Sequence, residues 1–119
     1  MAELTLQQIT ESGDQVDYAN AGEAGDTVDN AGSTFLHIKN GGGETITVTI
    51  AAETTSVPNS IYGSLTKANA SIAVEAAREA VIGPFKVSAF NNSDDEIEIT
   101  YTAVTSVTIA AFYINASQL

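Results

Sequence analysis

Apolar and polar residues alternate with a period of two through several short segments of the chain. The clearest segment is residues 45–50 (TITVTI), where threonines alternate with branched aliphatic residues. Successive side chains of a strand point to opposite faces, so one face is expected to meet water and the other the core. Residues 34–40 (TFLHIKN) precede it, and the glycines at 41–43 permit the positive φ of a tight turn. The two segments are therefore predicted to form a β-hairpin.

Strand-like patterns recur along the rest of the chain. Residues 96–102 (EIEITYT) alternate acidic or hydroxyl side chains with Ile and Tyr, and residues 106–114 (SVTIAAFYI) are apolar on both faces. A strand that is apolar on both faces is either central in a sandwich or covered by another subunit. A first strand or extended arm has three apolar positions: Leu4, Leu6 and Ile9.

Residues 71–85 permit two interpretations. The helix-forming residues at 73–81 (AVEAAREAV) would allow a short helix. We prefer two strands with a turn near Ala77, because Gly83 and Pro84 would end a helix early. Pro84 also places the second of these strands at the edge of a sheet, since proline cannot donate a hydrogen bond to a neighbour.

The segments between these strands are polar and rich in turn-forming residues. They indicate loops at 11–33, at 53–70 with one short strand near Ile61, and at 90–95. Six to eight short strands predict an all-β fold, an antiparallel sandwich or barrel of the jelly-roll or immunoglobulin-like kind. The 119 residues are expected to form one domain. Within it, residues 1–33 supply a strand or arm with an acidic Gly- and Asn-rich loop, and residues 34–119 the core.

The charge balance restricts the partners of the protein. Fifteen acidic residues against four basic ones give a net charge of −11. Nucleic acids and anionic membranes bind clustered Lys and Arg, so neither is expected as a partner. A protein partner is expected to be neutral or basic where it contacts this chain. The first residues lack a signal-peptide pattern and no apolar run is long enough to span a membrane, which predicts synthesis in the cytoplasm.

Candidate catalytic groups are few, and the sequence predicts that the protein is not an enzyme. His37 is the single histidine and the chain has no cysteine, so no nucleophile and base are paired by sequence. A strand histidine with a satisfied hydrogen bond is the simpler interpretation of His37. Glu96 and Glu98 lie two apart on one strand and are best explained as a solvated face. No cofactor is expected.

A calcium site is the one metal chemistry that the sequence suggests. Carboxylate oxygens in one Gly- and Asn-rich loop could converge on a cation, although no EF-hand spacing or nonapeptide repeat is present. A solvated loop is the alternative. The candidate ligands are Asp14, Asp17, Glu23, Asp26 and Asp29.

Three blocks between residues 33 and 114 resemble small structural proteins of tailed bacteriophages and related proviruses. The blocks are STFLHIKNGGGETITVTI, REAVIGPFKVSAFNN and ITYTAVTSVTIAAFYI. In those proteins a TFLHVKNGG segment is followed by a GPF…FN segment and a closing VTYS…VTVAAF strand. The resemblance implies a virion structural protein, most readily a capsid decoration (cement) protein, with head-spike and tail components as alternatives.

A decoration protein of this family is expected to bind the major capsid protein on the exterior of the virion, as a homotrimer, and to stabilise the particle. Capsid contacts are expected from the arm-like first segment, at Leu4, Leu6 and Ile9. A subunit interface is expected on the closing strand, at Phe112, Tyr113 and Ile114. An edge strand and core packing, respectively, are the alternatives for these two segments.

A carbohydrate-binding or adhesin module is the alternative from another functional class, since β-sandwiches commonly carry such sites. Tyr18, Tyr62 and Asn59 are its candidate residues. The absence of tryptophan from the chain argues against it, because sugar sites usually offer an aromatic platform.

Overall fold

The computed structural model describes residues 1–13, 15–53, 56–57, 65–66 and 68–114, and shows two β-sheets packed face to face. The described residues contain twelve strands and one short helix. In chain order these are β1 (Ala2–Glu3), β2 (Leu6–Ile9), β3 (Ala19–Asn20), β4 (Asp26–Asp29), β5 (Thr34–Asn40), β6 (Ile46–Ile50), β7 (Ser56–Val57), β8 (Leu65–Thr66), β9 (Ala70–Val74), β10 (Arg78–Ile82), α1 (Val87–Phe90), β11 (Glu96–Tyr101) and β12 (Val107–Ile114).

The first sheet has the strand order β1-β4-β11-β6-β9. The second sheet has the order β10-β5-β12-β2, with β3 also pairing with β12, and β7 pairs with β8 separately. The prediction of an all-β sandwich is confirmed, whereas the barrel alternative is wrong because both sheets remain open. The sheets are also not purely antiparallel, since β1 runs parallel to β4 and β2 runs parallel to β12.

The core lies between the inner faces of the two sheets and follows the predicted alternation. On β6, Ile46, Val48 and Ile50 are buried, while the intervening threonines are only half-buried. Ile97 and Ile99 on β11 are fully buried in the same way. Burying such a side chain stabilises a fold by about 1.5–3 kcal/mol, so these positions determine which face of each strand turns inward.

The predicted hairpin of residues 34–52 is wrong. β5 pairs with β10 and β12 in the second sheet, whereas β6 pairs with β11 and β9 in the first. The glycine segment 41–43 therefore crosses from one sheet to the other, and none of its glycines has a positive φ. The buried Asn40 side chain holds this crossing, because its Nδ2 donates to the Glu44 carbonyl (2.7 Å) and its Oδ1 accepts from the Gly42 N–H (3.0 Å).

The two-strand interpretation of residues 71–85 is confirmed by β9 and β10, with Ala77 at φ +60° in the turn between them. These strands also belong to different sheets, and β10 is an edge strand as Pro84 indicated. The sequence did not predict α1, a single helical turn that buries Phe90 against Phe85 with ring centroids 5.7 Å apart.

The segment 11–33, predicted to be a loop, contributes β3 and β4 to the sandwich, and Val28 of β4 is fully buried. The first nine residues form an edge strand in each sheet, β1 and β2, so the edge-strand alternative describes them better than an arm. Leu4 lies between these strands and is 8% exposed. The predicted strand near Ile61 lies outside the described residues.

Candidate functional site

The outer faces of the two sheets differ in chemistry. On the first sheet, Asp29 of β4 and Glu96 of β11 are direct neighbours across the pair, and Glu98 follows on the same face. On the second sheet, the outward positions of β5, β10 and β12 include Phe35, Val81 and Phe112. His37, Lys39 and Glu79 share this face, so its apolar part is a patch. Because sandwich sheets usually present polar residues to water, the patch marks the second sheet as the candidate functional surface.

A groove with a volume of about 380 Å³ lies on this face. We call it the outer groove, and its apolar lining consists of Ile9, Val16, Phe35, Val81 and Phe112. Three of these side chains are unusually exposed for their type: Val81 at 62%, Val16 at 42% and Ile9 at 39%. Exposed aliphatic side chains grouped around one concavity are typical of a surface that another molecule covers.

Strand pairing brings the two aromatic residues of the outer groove together. Phe35 of β5 lies directly opposite Phe112 of β12, with ring centroids 5.5 Å apart. Val81 of the edge strand β10 pairs with His37 of β5. Val81 therefore lies on the same face of the sheet as the two phenylalanines, on the β10 side of Phe35. Strand pairing in the second sheet therefore sets the relative positions of these three side chains.

A loop closes the outer groove on its remaining side. The Gln7 side chain of β2 binds the loop backbone in both directions, since its Nε2 donates to the Asp17 carbonyl (2.8 Å) and its Oε1 accepts from the Asp17 N–H (3.0 Å). These two hydrogen bonds hold the loop where Val16 lines the groove. The loop is thus anchored by two hydrogen bonds at the point where it meets the sheet.

His37 lies at the polar edge of the outer groove with both ring nitrogens engaged. Its Nε2 lies 2.9 Å from the Glu79 carboxylate and its Nδ1 2.6 Å from the Tyr18 hydroxyl. A carboxylate only accepts, so Nε2 carries the hydrogen of the neutral ring and Nδ1 accepts from Tyr18. The Lys39 ammonium lies over the Tyr18 ring, 4.0 Å from its centroid. His37 therefore has the satisfied hydrogen bonds that the sequence predicted for a strand histidine.

The candidate calcium ligands do not converge among the described residues. Asp26 is 1% exposed and turns into the core, where its Oδ2 accepts from the Tyr101 hydroxyl (2.6 Å) and the Gly22 N–H (3.0 Å). Asp29 lies on the opposite face of β4, because the two positions are three residues apart in a strand. Asp17 and Glu23 are exposed elsewhere, and Asp14 lies outside the described residues.

Asp29 instead belongs to a carboxylate cluster that the sequence did not predict. Glu3, Asp29 and Glu96 offer oxygen atoms within 4.8 Å of one another on the outer face of the first sheet. Burial and the neighbouring charges of Glu3 and Asp29 raise the pKa of Glu96. The parallel pairing of β1 with β4 brings Glu3 into the cluster, and no local pattern in the sequence signals that pairing.

The residues expected to contact a capsid or another subunit fall into different environments. Leu4 is a core residue, so its assignment as a surface contact is wrong, and Leu6 is half-buried against the core. Ile9 does lie at the surface and lines the outer groove. Phe112 is 8% exposed and belongs to the same groove.

Tyr113 and Ile114, the other two predicted interface residues, are half-buried at the end of β12. The Tyr113 hydroxyl donates to Gln8 Oε1 at 3.3 Å. Of the residues named for a carbohydrate site, Tyr18 hydrogen-bonds to His37, whereas Asn59 and Tyr62 lie outside the described residues.

A comparison of the chain with models of protein families, with curated proteins and with solved structures finds no match. In the part of the chain that the structure describes, no helix has the length and apolar character needed to cross a membrane. The outer groove, the His37 hydrogen bonds and the carboxylate cluster are therefore the observations on which a function has to be argued.

Proposed function

We propose that the chain is a virion structural protein that decorates a viral capsid, binds major capsid subunits through its outer groove and stabilises the particle. The observation that carries the proposal is the cluster of exposed aliphatic side chains around the groove, with Val81 at 62% exposure. Covering such side chains contributes about 25 cal/mol for each Å² of apolar surface removed from water. The resemblance of three sequence blocks to phage structural proteins supplies the identity of the partner.

The distribution of charge supports an orientation on the particle. The acidic outer face of the first sheet, with Asp29, Glu96 and Glu98, would be costly to bury and is best left in water. The second sheet lies on the opposite side of the sandwich. The face that carries the outer groove would then dock on the capsid while the acidic face points to solvent, and the net charge of −11 keeps unbound copies apart.

The hydrogen bonds of His37 are made within the chain. Its Nδ1 accepts from the Tyr18 hydroxyl and its Nε2 contacts Glu79, so the ring is held in place at the polar edge of the groove. The apolar lining of the adjacent groove offers contact area rather than reactive groups. These features suit a protein that works through a surface.

The proposal is tested with capsids assembled from the major capsid protein of the same genome. Wild-type protein is expected to co-sediment with capsids and to raise the temperature at which they disrupt. Val81→Lys is expected to weaken binding at least about tenfold, because a charge replaces an apolar contact. Val87→Lys is the matched control, since Val87 is also exposed, at 42%, but lies on α1 outside the groove.

Equal binding of all three proteins to capsids would overturn the assignment of the groove, and absence of binding by the wild-type protein would overturn the decoration function. Light scattering of the purified protein then tests the homotrimer that the resemblance implies. A monomer that becomes trimeric only on capsids would still agree with docking through the groove.

A further inference from the structure

β10 is the strand of the outer groove that is able to accept another strand. It pairs with β5 on one side, and among the described residues no strand pairs with its other side. Alternate residues of an edge strand direct their N–H and C=O groups away from the sheet, where they can pair with an added chain. The edge is five residues long, Arg78–Ile82, which is enough for a short strand to pair along it.

The side chains on the groove side of β10 are Glu79 and Val81, which are two residues apart. Val81 lines the outer groove and is its most exposed apolar member. The Glu79 side chain is 57% exposed, although one oxygen is bonded to His37. Ala80 and Ile82 between and after them pack against the core, so they are not available to a partner.

We propose that the capsid partner contributes an extended protein segment that pairs with the free edge of β10 and borders the outer groove at Val81. This inference rests on the proposed function, and it specifies the segment of the partner. Directly opposed side chains on one face of a strand pair lie about 4.5–5.5 Å apart. The segment therefore carries an apolar side chain opposite Val81 and a basic side chain opposite Glu79, with one residue of any kind between them.

The charges around the groove favour this partner over a second copy of the chain. Glu79 is exposed on the outward face of β10, where it lies across from Lys39 of β5. Two copies joined at β10 would bring together two chains that each have a net charge of −11. Like charges opposed across a strand pair are destabilising, whereas a Lys or Arg of a different protein is attracted.

The two-residue spacing of the basic and apolar side chains in the partner segment can be tested with peptides. Two fluorescent peptides of identical composition, Thr-Thr-Lys-Thr-Ile-Thr-Thr and Thr-Thr-Lys-Ile-Thr-Thr-Thr, differ by exchanging one pair of neighbours. Only the first places Lys and Ile on the same face of a strand. Fluorescence anisotropy with the full chain is expected to show binding of the first peptide that is about tenfold tighter than that of the second.

Variants of the full chain assign the contacts. Val81→Lys is expected to abolish the difference between the peptides, and Glu79→Gln to reduce the salt dependence of binding, because it removes the charge that attracts Lys. Val87→Lys is expected to bind both peptides as the wild type does. Amide NMR shifts on adding the first peptide are expected to concentrate in β10 and the outer groove.

The outcomes separate this inference from the proposed function. If both peptides bound with equal affinity while Val81→Lys bound capsids more weakly than the wild type, strand pairing would be overturned and capsid docking would remain. If the first peptide bound more tightly than the second while Val81→Lys bound capsids as well as the wild type, the strand site would remain and its role on the capsid would be overturned. Preferential shifts outside β10 would also overturn the inference, because the peptide would then occupy another surface.

Discussion

The Tyr101 hydroxyl donates a hydrogen bond to Oδ2 of Asp26 over 2.6 Å, which joins β11 to the start of β4 inside the sandwich. Asp26 is 1% exposed, so its carboxylate depends on this donor and on the Gly22 N–H, 3.0 Å away. A buried carboxylate without partners is costly, and the pair therefore determines how the loop before β4 enters the sheet. Burial, and then the interaction with Asp26, raises the pKa of Tyr101 above its usual value.

Tyr101→Phe is expected to destabilise the protein by about 1–3 kcal/mol, because it leaves a buried carboxylate oxygen with one donor fewer. The measurement is urea unfolding followed by circular dichroism. Tyr113→Phe is the matched control: the Tyr113 hydroxyl makes a 3.3 Å bond to Gln8 at a partly buried position, so its loss is expected to cost much less. Equal losses for the two variants would contradict the role assigned to Asp26.

The raised pKa of Tyr101 adds a pH signature to the same variant. A folded-state pKa above the unfolded value means that the folded state holds the proton more tightly, so this contribution is full below about pH 10 and is lost as pH rises further. Wild-type stability is expected to fall more steeply above that pH than the stability of Tyr101→Phe. Parallel curves would show that Tyr101 is not the group that titrates.

Gly83→Ala is expected to destabilise the fold by about 2 kcal/mol or more, since a strained backbone and a steric clash add together. Gly83 has φ +130°, and an added Cβ would lie 2.7 Å from Cβ of Phe35. Gly43→Ala is the control, because nothing lies within 4 Å of its added Cβ and its φ is not left-handed. Thermal unfolding of both variants checks the difference, and a Gly83→Ala protein as stable as Gly43→Ala would refute it.

The inward face of each long strand could be predicted from the sequence, but the partner of each strand could not. Alternation identifies Ile46 and Val48 as core residues whichever sheet contains β6, because burial depends on the face alone. The crossing at residues 41–43 resembles a hairpin turn in composition. It differs from a hairpin turn in the hydrogen bond from Asn40 Nδ2 to the Val74 carbonyl, because Val74 becomes a neighbour of Asn40 only in the folded sandwich.

The outer groove could not be predicted for the same reason. Phe35 and Phe112 are far apart in the sequence, and only the pairing of β5 with β12 in one register brings their rings together. The sequence named Ile9 as part of an arm-like first segment and Phe112 as part of a strand that is apolar on both faces, and both residues line the groove. It could not identify Val81, whose exposure follows from the edge position of β10.

Asn40→Asp is expected to destabilise the protein by about 2 kcal/mol or more, although the two side chains have the same shape. Asn40 Nδ2 donates to the carbonyls of Glu44 (2.7 Å) and Val74 (2.9 Å), and a carboxylate would place an acceptor against both. Asn69→Asp is a suitable control, since Asn69 uses its Oδ1 to accept from the Ala52 N–H at an exposed position, which a carboxylate can also do. Similar unfolding midpoints for the two variants would contradict this role of Asn40.

Glu96→Gln is expected to stabilise the protein slightly at neutral pH, by about 0.5 kcal/mol or less because water screens exposed charges. Burial and the charges of Glu3 and Asp29 raise the pKa of Glu96, so the folded state binds this proton more tightly than the unfolded state. The carboxylate cluster therefore costs stability above that pKa, and the cost disappears as pH falls through it. The gain from Glu96→Gln should be largest near pH 7 and at low salt, and should vanish in acid and in 1 M salt.

Glu23→Gln serves as the control for this last change, because Glu23 is exposed in a loop and is not among the three clustered carboxylates. Removal of any one acidic residue from a chain with a net charge of −11 relieves some general repulsion. Glu23→Gln measures the part of the stability gain that comes from this change in net charge. A larger gain for Glu96→Gln would come from its neighbours on β1 and β4. Equal gains for both variants across pH would mean that net charge, rather than the cluster, is responsible.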